Sequence, residues 1–212
     1  MRSLRVAAKA RPRPTNGDIP ASEAQSGSRG KILAAVLAAA AVAFAGAMLI
    51  RGAASTVRSA AEGACLALRP NPLSAAVRSL NPDFELPDLK GGKVSLRSLR
   101  GKPVLVSFFA TWCPPCVEEA PSLEVLAARI GDKAKVMVVS VDEDLEALKK
   151  FYAKGSSATV VRDESKQVPT SFGTSKFPES FLIDPSGRVR YAFINQRDWS
   201  VPEAAACVLG LQ

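Results

Sequence analysis

From Ile32 to Ile50 the chain runs for 19 residues without a charged or strongly polar side chain, and Arg51 closes the run. Wound as a helix rising about 1.5 Å per residue, such a segment matches the hydrocarbon core of a bilayer. We read it as an uncleaved signal anchor. A cleavable signal peptide is the nearest alternative, because Ala43-Phe44-Ala45-Gly46-Ala47 offers small residues to a signal peptidase. Against it, the run exceeds the roughly 7 to 15 residues of a signal h-region and starts far from Met1. A buried helix of a soluble protein is the third reading.

The run organises everything else. Residues 1–31 are rich in Arg, Pro, Gly and Ser, show no apolar period, and are expected to be a disordered basic tail. Residues 32–50 are the transmembrane segment, 51–82 a connector with turn signals at Arg69-Pro70-Asn71-Pro72 and Asn81-Pro82, and 83–212 one globular domain. Within the connector a short helix is expected over Pro72 to Leu80.

Net charge is +8, but it is unevenly placed. Residues 1–31 carry +5, residues 32–82 carry +3, and residues 83–212 hold 17 bases against 17 acids. A phosphate-neutralising face on the domain is not indicated, and no nucleic-acid partner is expected. Arg13, Arg29 and Lys31 before the apolar run are matched by Arg51, Arg58 and Arg69 after it, so charge alone orients the anchor weakly. A short free tail is retained easily, whereas a long domain translocates largely regardless of its charge. The expectation is a single pass through the cytoplasmic (inner) membrane, with the lipid bilayer as partner and the domain on the extracytoplasmic, periplasmic side.

Inside the domain the periodicities change from segment to segment. Phe84 to Leu86 and Lys93 to Leu96 flank Gly91-Gly92 as a hairpin. Val104 to Ala110 is a continuous apolar run, the mark of a strand buried on both faces. Helical spacing follows from Pro114 to about Ile130, with Val117, Ala120, Leu123, Leu126 and Ala127 on one face and Gly131 as the stop. Val136 to Val141, Thr159 to Val161 and Phe181 to Ile183 read as strands, and Leu145 to Ala153 as a helix. Arg188 to Ile194 returns as a hairpin partner after Asp184-Pro185-Ser186-Gly187. A closing helix spans Pro202 to Leu211, with Ser200 as its cap. The order predicts an α/β fold, a central mixed sheet flanked by helices, preceded by the hairpin and by a separate N-terminal transmembrane helix.

The chain has no histidine. Ser-His-Asp and Cys-His nucleophile systems and histidine-ligated metals are thereby excluded, and a nucleophile working at neutral pH is most naturally one of the four cysteines. Two of them form Trp112-Cys113-Pro114-Pro115-Cys116, at the point where a buried strand ends and a helix begins. The helix N-terminus carries partial positive charge that stabilises a thiolate on Cys113, and Cys116 lies one turn later, within reach for a disulfide. Half of a tetrahedral zinc site has the same spacing, but Cys65 and Cys207 are isolated and supply no second half. No metal site and no cofactor are expected, since no nicotinamide or flavin fingerprint is present.

Val106 to Pro121, Val-Ser-Phe-Phe-Ala-Thr-Trp-Cys-Pro-Pro-Cys-Val-Glu-Glu-Ala-Pro, together with Phe177 to Gly187, Phe-Pro-Glu-Ser-Phe-Leu-Ile-Asp-Pro-Ser-Gly, closely resembles the membrane-anchored thioredoxin-like proteins of the TlpA/ResA type. These include the thioredoxins of cytochrome c maturation. The resemblance covers roughly residues 83 to 210 and implies a thioredoxin fold and dithiol–disulfide exchange with disulfide-containing protein substrates, apocytochrome c and metal-site assembly factors among them. It implies Cys113 as attacking thiol and Cys116 as resolving thiol of a redox-active disulfide, Glu119 as an acidic residue near the thiols, and Pro178 as a cis-proline shaping the substrate groove. Trp112 and Phe177 are expected to wall that groove. For Glu118 and Glu119 the plainer reading is favourable charge in the first helical turn; for Pro178 it is a trans proline opening a strand.

Pro114 and Pro115 lack N–H groups and cannot donate to the Cys113 sulfur, which favours the disulfide and makes the dithiol a reductant. A membrane thiol electron donor would then re-reduce the pair. A Cu(I)-binding metallochaperone using the same two sulfurs is the alternative from another class, and a thiol peroxidase is disfavoured by Ala110, where such enzymes carry threonine. Cys65 and Cys207 are either buried free thiols or, in an oxidising compartment, a structural disulfide tying the connector to the closing helix.

Overall fold

The computed structural model describes residues 26–211. The chain divides into two units, residues 1–50 and 51–212. In the first unit the described residues are helical, and helix α1 (Ser26–Ala67) contains a segment long and apolar enough to cross a membrane. The first 25 positions of the expected basic tail lie outside the described residues. Helix begins at Ser26 rather than Ile32, and in the second unit residues 51–67, read from sequence as connector, are helical too. That stretch has no proline and is rich in alanine, and the helix runs through its two glycines, Gly52 and Gly63.

The connector then turns at Arg69, whose φ of 54° lies in the left-handed region. Helix α2 (Ala75–Ser79) follows, capped by the Ser74 hydroxyl. Strands β1 (Glu85–Pro87) and β2 (Lys93–Ser95) make the expected antiparallel hairpin.

The main sheet has the order β5-β4-β3-β6-β7. β3 (Val104–Phe109), β4 (Lys135–Ser140) and β5 (Thr159–Arg162) run parallel, β6 (Glu179–Ile183) pairs antiparallel with β3, and β7 (Val189–Ile194) pairs antiparallel with β6. Every residue of β3 is buried. Leu105 and Phe109 enter the core shared with α3 (Pro114–Ile130) and α6 (Pro202–Leu209), whereas Val104, Val106 and Phe108 face the second core with Phe172 and Phe181. This period of two explains why the strand reads as an unbroken apolar run. Both sheet edges are covered: Asp88 bridges to Val161 of β5, and Asn71 to Ala192 of β7. Unpaired strand edges are thereby blunted against pairing with other chains.

Helix α3 runs from Pro114 to Ile130 and stops at Gly131, whose φ of 55° favours glycine. Its buried face is rotated from the sequence expectation. Cys116 and Glu119 point inward with Ala120 and Leu123, while Val117 is only half-buried. Helix α4 spans Leu145–Phe151, and α5 (Gln167–Ser171), absent from the sequence reading, carries the chain from β5 towards β6. Ser200 does not cap α6. Val201 occupies the N-cap, because the Ser200 hydroxyl and N–H are both spent on Asp198.

Cys65, in the last turn of α1, is joined to Cys207 of α6 by a disulfide with a Cα–Cα distance of 4.6 Å, and both residues are buried. Steric room for the approach comes from Gly210. A Cβ there would lie 1.9 Å from the Cβ of Ala61, so only glycine lets the two backbones meet.

Candidate active site

Three elements meet at the C-terminal end of β3. The strand ends at Phe109, the chain turns through Ala110 and Thr111, and Cys113 becomes the N-cap of α3. Pro114 and Pro115 occupy the first helical positions, where a missing N–H leaves no intrahelical bond unmade. The N–H groups of Cys116 and Val117 both return to the Cys113 carbonyl, at 3.0 and 3.1 Å. Cys113 and Cys116 are linked by a disulfide with Cα atoms 5.3 Å apart. Their exposures differ, 6% for Cys113 and 1% for Cys116. Both residues are buried, Cys113 at the helix N-terminus slightly less so than Cys116.

Trp112 is 60% exposed and meets Phe177 edge to face, with ring centroids 6.1 Å apart. The Phe177–Pro178 peptide bond is cis and Pro178 is buried. Because Glu179 pairs with Phe108 in antiparallel register, Pro178 stands at the end of β6 that adjoins the end of β3. Trp112 and Phe177, from the two separate sequence motifs, therefore meet beside the disulfide as an aromatic pair with Trp112 exposed and Phe177 half-buried.

Glu119 lies one turn beyond Cys116 on the same side of α3 and is only 2% exposed. It is not first-turn surface charge; the adjacent Glu118 is the exposed one. One carboxylate oxygen, Oε1, accepts the backbone N–H of Arg197 at 2.8 Å and the indole N–H of Trp199 at 2.9 Å. Burial raises the carboxyl to about 7, opposed by those two hydrogen bonds and by the Arg197 charge. Near neutral pH this carboxyl therefore stands between its charged and neutral forms.

Asp142, Arg197 and Trp199 are not among the residues that the sequence motifs single out. Asp142 is buried just after β4, and its carboxylate accepts the Thr111 N–H at 3.0 Å, the Thr111 hydroxyl at 2.6 Å and the Ser140 hydroxyl at 2.7 Å. It fixes the turn that presents Trp112 and Cys113. A carboxylate directly after a buried parallel strand was the available signal, since ligand sites gather at such strand ends. No comparable local signal marks Arg197 and Trp199, which act on Glu119 from 78 and 80 residues away. Burial also raises Glu179, next to Pro178, against the influence of Thr174 and Lys176. Cys65 and Cys207 pair only with each other.

Comparison with known proteins points the same way. The AhpC/TSA family pattern matches residues 77–192. The thiol-disulfide oxidoreductase ResA of Bacillus thuringiensis is 33% identical over 118 residues, covering 55% of this chain and 68% of that protein. ResA of Geobacillus thermodenitrificans is 35% identical over 119 residues, with coverage of 55% and 68%. Among solved structures, the thioredoxin domain of a thiol-disulfide oxidoreductase from Bacteroides vulgatus superposes with a TM-score of 0.53 at 32% identity, covering 60% of this chain and 94% of that one. A mixed sheet in this strand order, with a Cys-x-x-Cys disulfide opening the helix after its central strand, is what a thioredoxin fold offers to thiol exchange; the chain belongs to the AhpC/TSA family and is a thiol–disulfide oxidoreductase of that fold.

Proposed function

We propose that the protein is a membrane-tethered reductase of disulfides in extracytoplasmic proteins, apocytochrome c and metal-site assembly factors being the substrate classes. The observation that carries the reading is the asymmetry of the site: Cys113 at the helix N-terminus next to the exposed Trp112, Cys116 more deeply buried, and a buried carboxyl one turn further along the helix.

In the reduced enzyme the Cys113 thiolate attacks one sulfur of the substrate disulfide. The substrate S–S bond breaks, a Cys113–substrate bond forms, and the departing thiolate takes a proton from solvent. Cys116 then gives its proton to the Glu119 carboxylate and attacks the Cys113 sulfur. The mixed disulfide breaks, Cys113–Cys116 forms, the second substrate thiolate takes a proton from solvent, and Glu119 releases its proton to solvent. Two electrons and two protons pass to the substrate. The cis peptide at Pro178 and the Trp112–Phe177 pair present backbone and aromatic surface to the incoming chain. The apolar segment of α1 supports the tether, and a membrane thiol donor would restore the dithiol.

The test uses the full chain reconstituted in lipid vesicles and reduced beforehand. Stoichiometric reduction of a protein disulfide such as insulin's is expected, abolished in Cys113→Ser, together with active phosphatase fusions after Gln212. Copper(I) binding without disulfide reduction would overturn the reading, and a reporter active only in the cytoplasm would overturn the placement.

A further inference from the structure

The guanidinium of Arg197 binds no carboxylate among the described residues. It donates instead to four backbone carbonyls: Nε to Leu68 at 3.1 Å, Nη2 to Arg69 at 3.2 Å, and Nη1 to Asn195 at 3.1 Å and Gln196 at 2.9 Å. Two of these carbonyls follow the end of α1, where the helix leaves orphan acceptors and Arg69 adopts positive φ. The other two belong to the arginine's own loop, in which Asn195 has a φ of 69°. A planar fork with five fixed donors suits such a cluster of acceptors; an ammonium on a flexible stem does not.

The same residue's backbone N–H is one of the two donors to Glu119. The other, the Trp199 indole, sits two residues further along the same loop, and the Trp199 N–H donates to Ser122 of α3 at 3.0 Å. The Cys65–Cys207 disulfide fastens the end of α1 three residues before Leu68. Leu68, Arg69, Arg197, Trp199 and both of these cysteines fall outside residues 77–192, so the arrangement is built from the flanks of the family domain.

We propose that Arg197 is a positioning residue for the exchange reaction, its guanidinium clamping the end of α1 so that the 195–199 loop holds two N–H donors on Glu119. The inference rests on the reading of Glu119 as proton acceptor from Cys116. Other charges near the carboxyl are otherwise engaged: Glu118 is exposed and accepts from Gln196, and Asp198 is bound by Ser200. Arg197 thus joins the end of α1 to the loop whose N–H groups reach the acid.

The experiment measures insulin reduction by the full chain, with dithiothreitol as the reductant that restores the dithiol, between pH 5 and 10 for wild type, Glu119→Gln, Arg197→Lys and the double variant. Arg197→Lys keeps the charge and loses the fork. The limb of the kcat profile due to Glu119 is expected to vanish in Glu119→Gln. In Arg197→Lys it should move to higher pH by half a unit or more, with KM changed less than twofold, and in the double variant the arginine change should add nothing. If Glu119→Gln removes the limb and Arg197→Lys leaves it in place, the positioning role is overturned and the role of Glu119 stands. If Glu119→Gln leaves the limb, the acid reading fails and the inference with it. Near-UV circular dichroism monitors folding, and an Arg197→Lys chain that does not fold would also contradict the proposal, making the arginine a requirement of the fold instead.

Discussion

The buried carboxylate of Glu119 accepts the indole N–H of Trp199 at 2.9 Å across 80 residues of sequence. This bond ties the closing segment of the chain to the helix carrying both redox cysteines. It also gives Glu119 an acceptor role that a neutral amide can imitate, which makes its ionisation separable from its packing.

Stability should therefore depend on pH through this residue. The folded carboxyl titrates at about 7, against 4.5 for an ordinary glutamate, so between those values the native state holds a proton that the unfolded chain has released. Unfolding releases protons there, and native stability falls as pH rises through that window. Below it nothing is lost; above it the cost levels off at roughly 3 kcal/mol. Glu119→Gln in the oxidised protein should match wild type near pH 4 and exceed it by about that amount at pH 8.5. Urea unfolding at the two pH values checks this, and equal differences at both would contradict it.

The same substitution should slow the enzyme. Removing a positioned acid–base group costs on the order of 10²-fold or more in the step it serves. Stopped-flow oxidation of the dithiol should show resolution slowed in Glu119→Gln while the first attack by Cys113 keeps its rate.

Trp112 and Phe177 should matter to proteins and little to small disulfides. Truncating both to alanine removes the aromatic pair, with its exposed Trp112, and leaves the cysteines in place. Turnover of a protein disulfide should fall about tenfold, corresponding to ~1.4 kcal/mol of docking, while reduction of a small aromatic disulfide changes less than threefold. Equal losses on both substrates would place the pair in the catalytic step.

Much of this site is legible in the order of residues. The apolar run through Phe109, the prolines after Cys113 and the glycine at 131 are local signals, and β3 and α3 begin and end within a residue of them. The inward turn of Glu119 is not local. Glu118 and Glu119 are the same residue type side by side, and only the distant Trp199 and Arg197 decide which is buried. Helix α5 escapes notice because it is five residues long and contains Pro169. Ser200 misleads because a hydroxyl that suits a helix cap suits the Asp198 side chain equally well. The reach of Cys65 to Cys207 follows from chain length, but their meeting depends on Gly210 lying against Ala61, a fit that sequence spacing does not reveal.

That clasp carries its own prediction. The disulfide spans 142 residues, and the chain-entropy relation assigns a loop of that size about 5 kcal/mol. Cys65→Ser with Cys207→Ser should lower stability by several kcal/mol, and Gly210→Val should hinder formation of the bond by pressing on Ala61. Non-reducing peptide mapping reads the second effect and denaturant titration the first.

Redox direction follows from the two prolines after Cys113. With no N–H at either position to stabilise the Cys113 thiolate, the potential should fall at roughly −200 to −270 mV, near thioredoxin. Glutathione equilibration of the purified chain measures it, and Pro114→His should raise the value; a wild-type potential near −120 mV would contradict the reductant assignment.

Cys113 is expected to take the substrate sulfur and Cys116 to release it. Trapping of mixed disulfides in intact cells tests it most directly. Cys116→Ala should accumulate covalent adducts through Cys113 that disappear on treatment with dithiothreitol, identifiable by mass spectrometry as disulfide-bearing extracytoplasmic proteins, while Cys113→Ala accumulates none. Adducts through Cys116 in the Cys113→Ala chain, or none in either variant, would contradict the account.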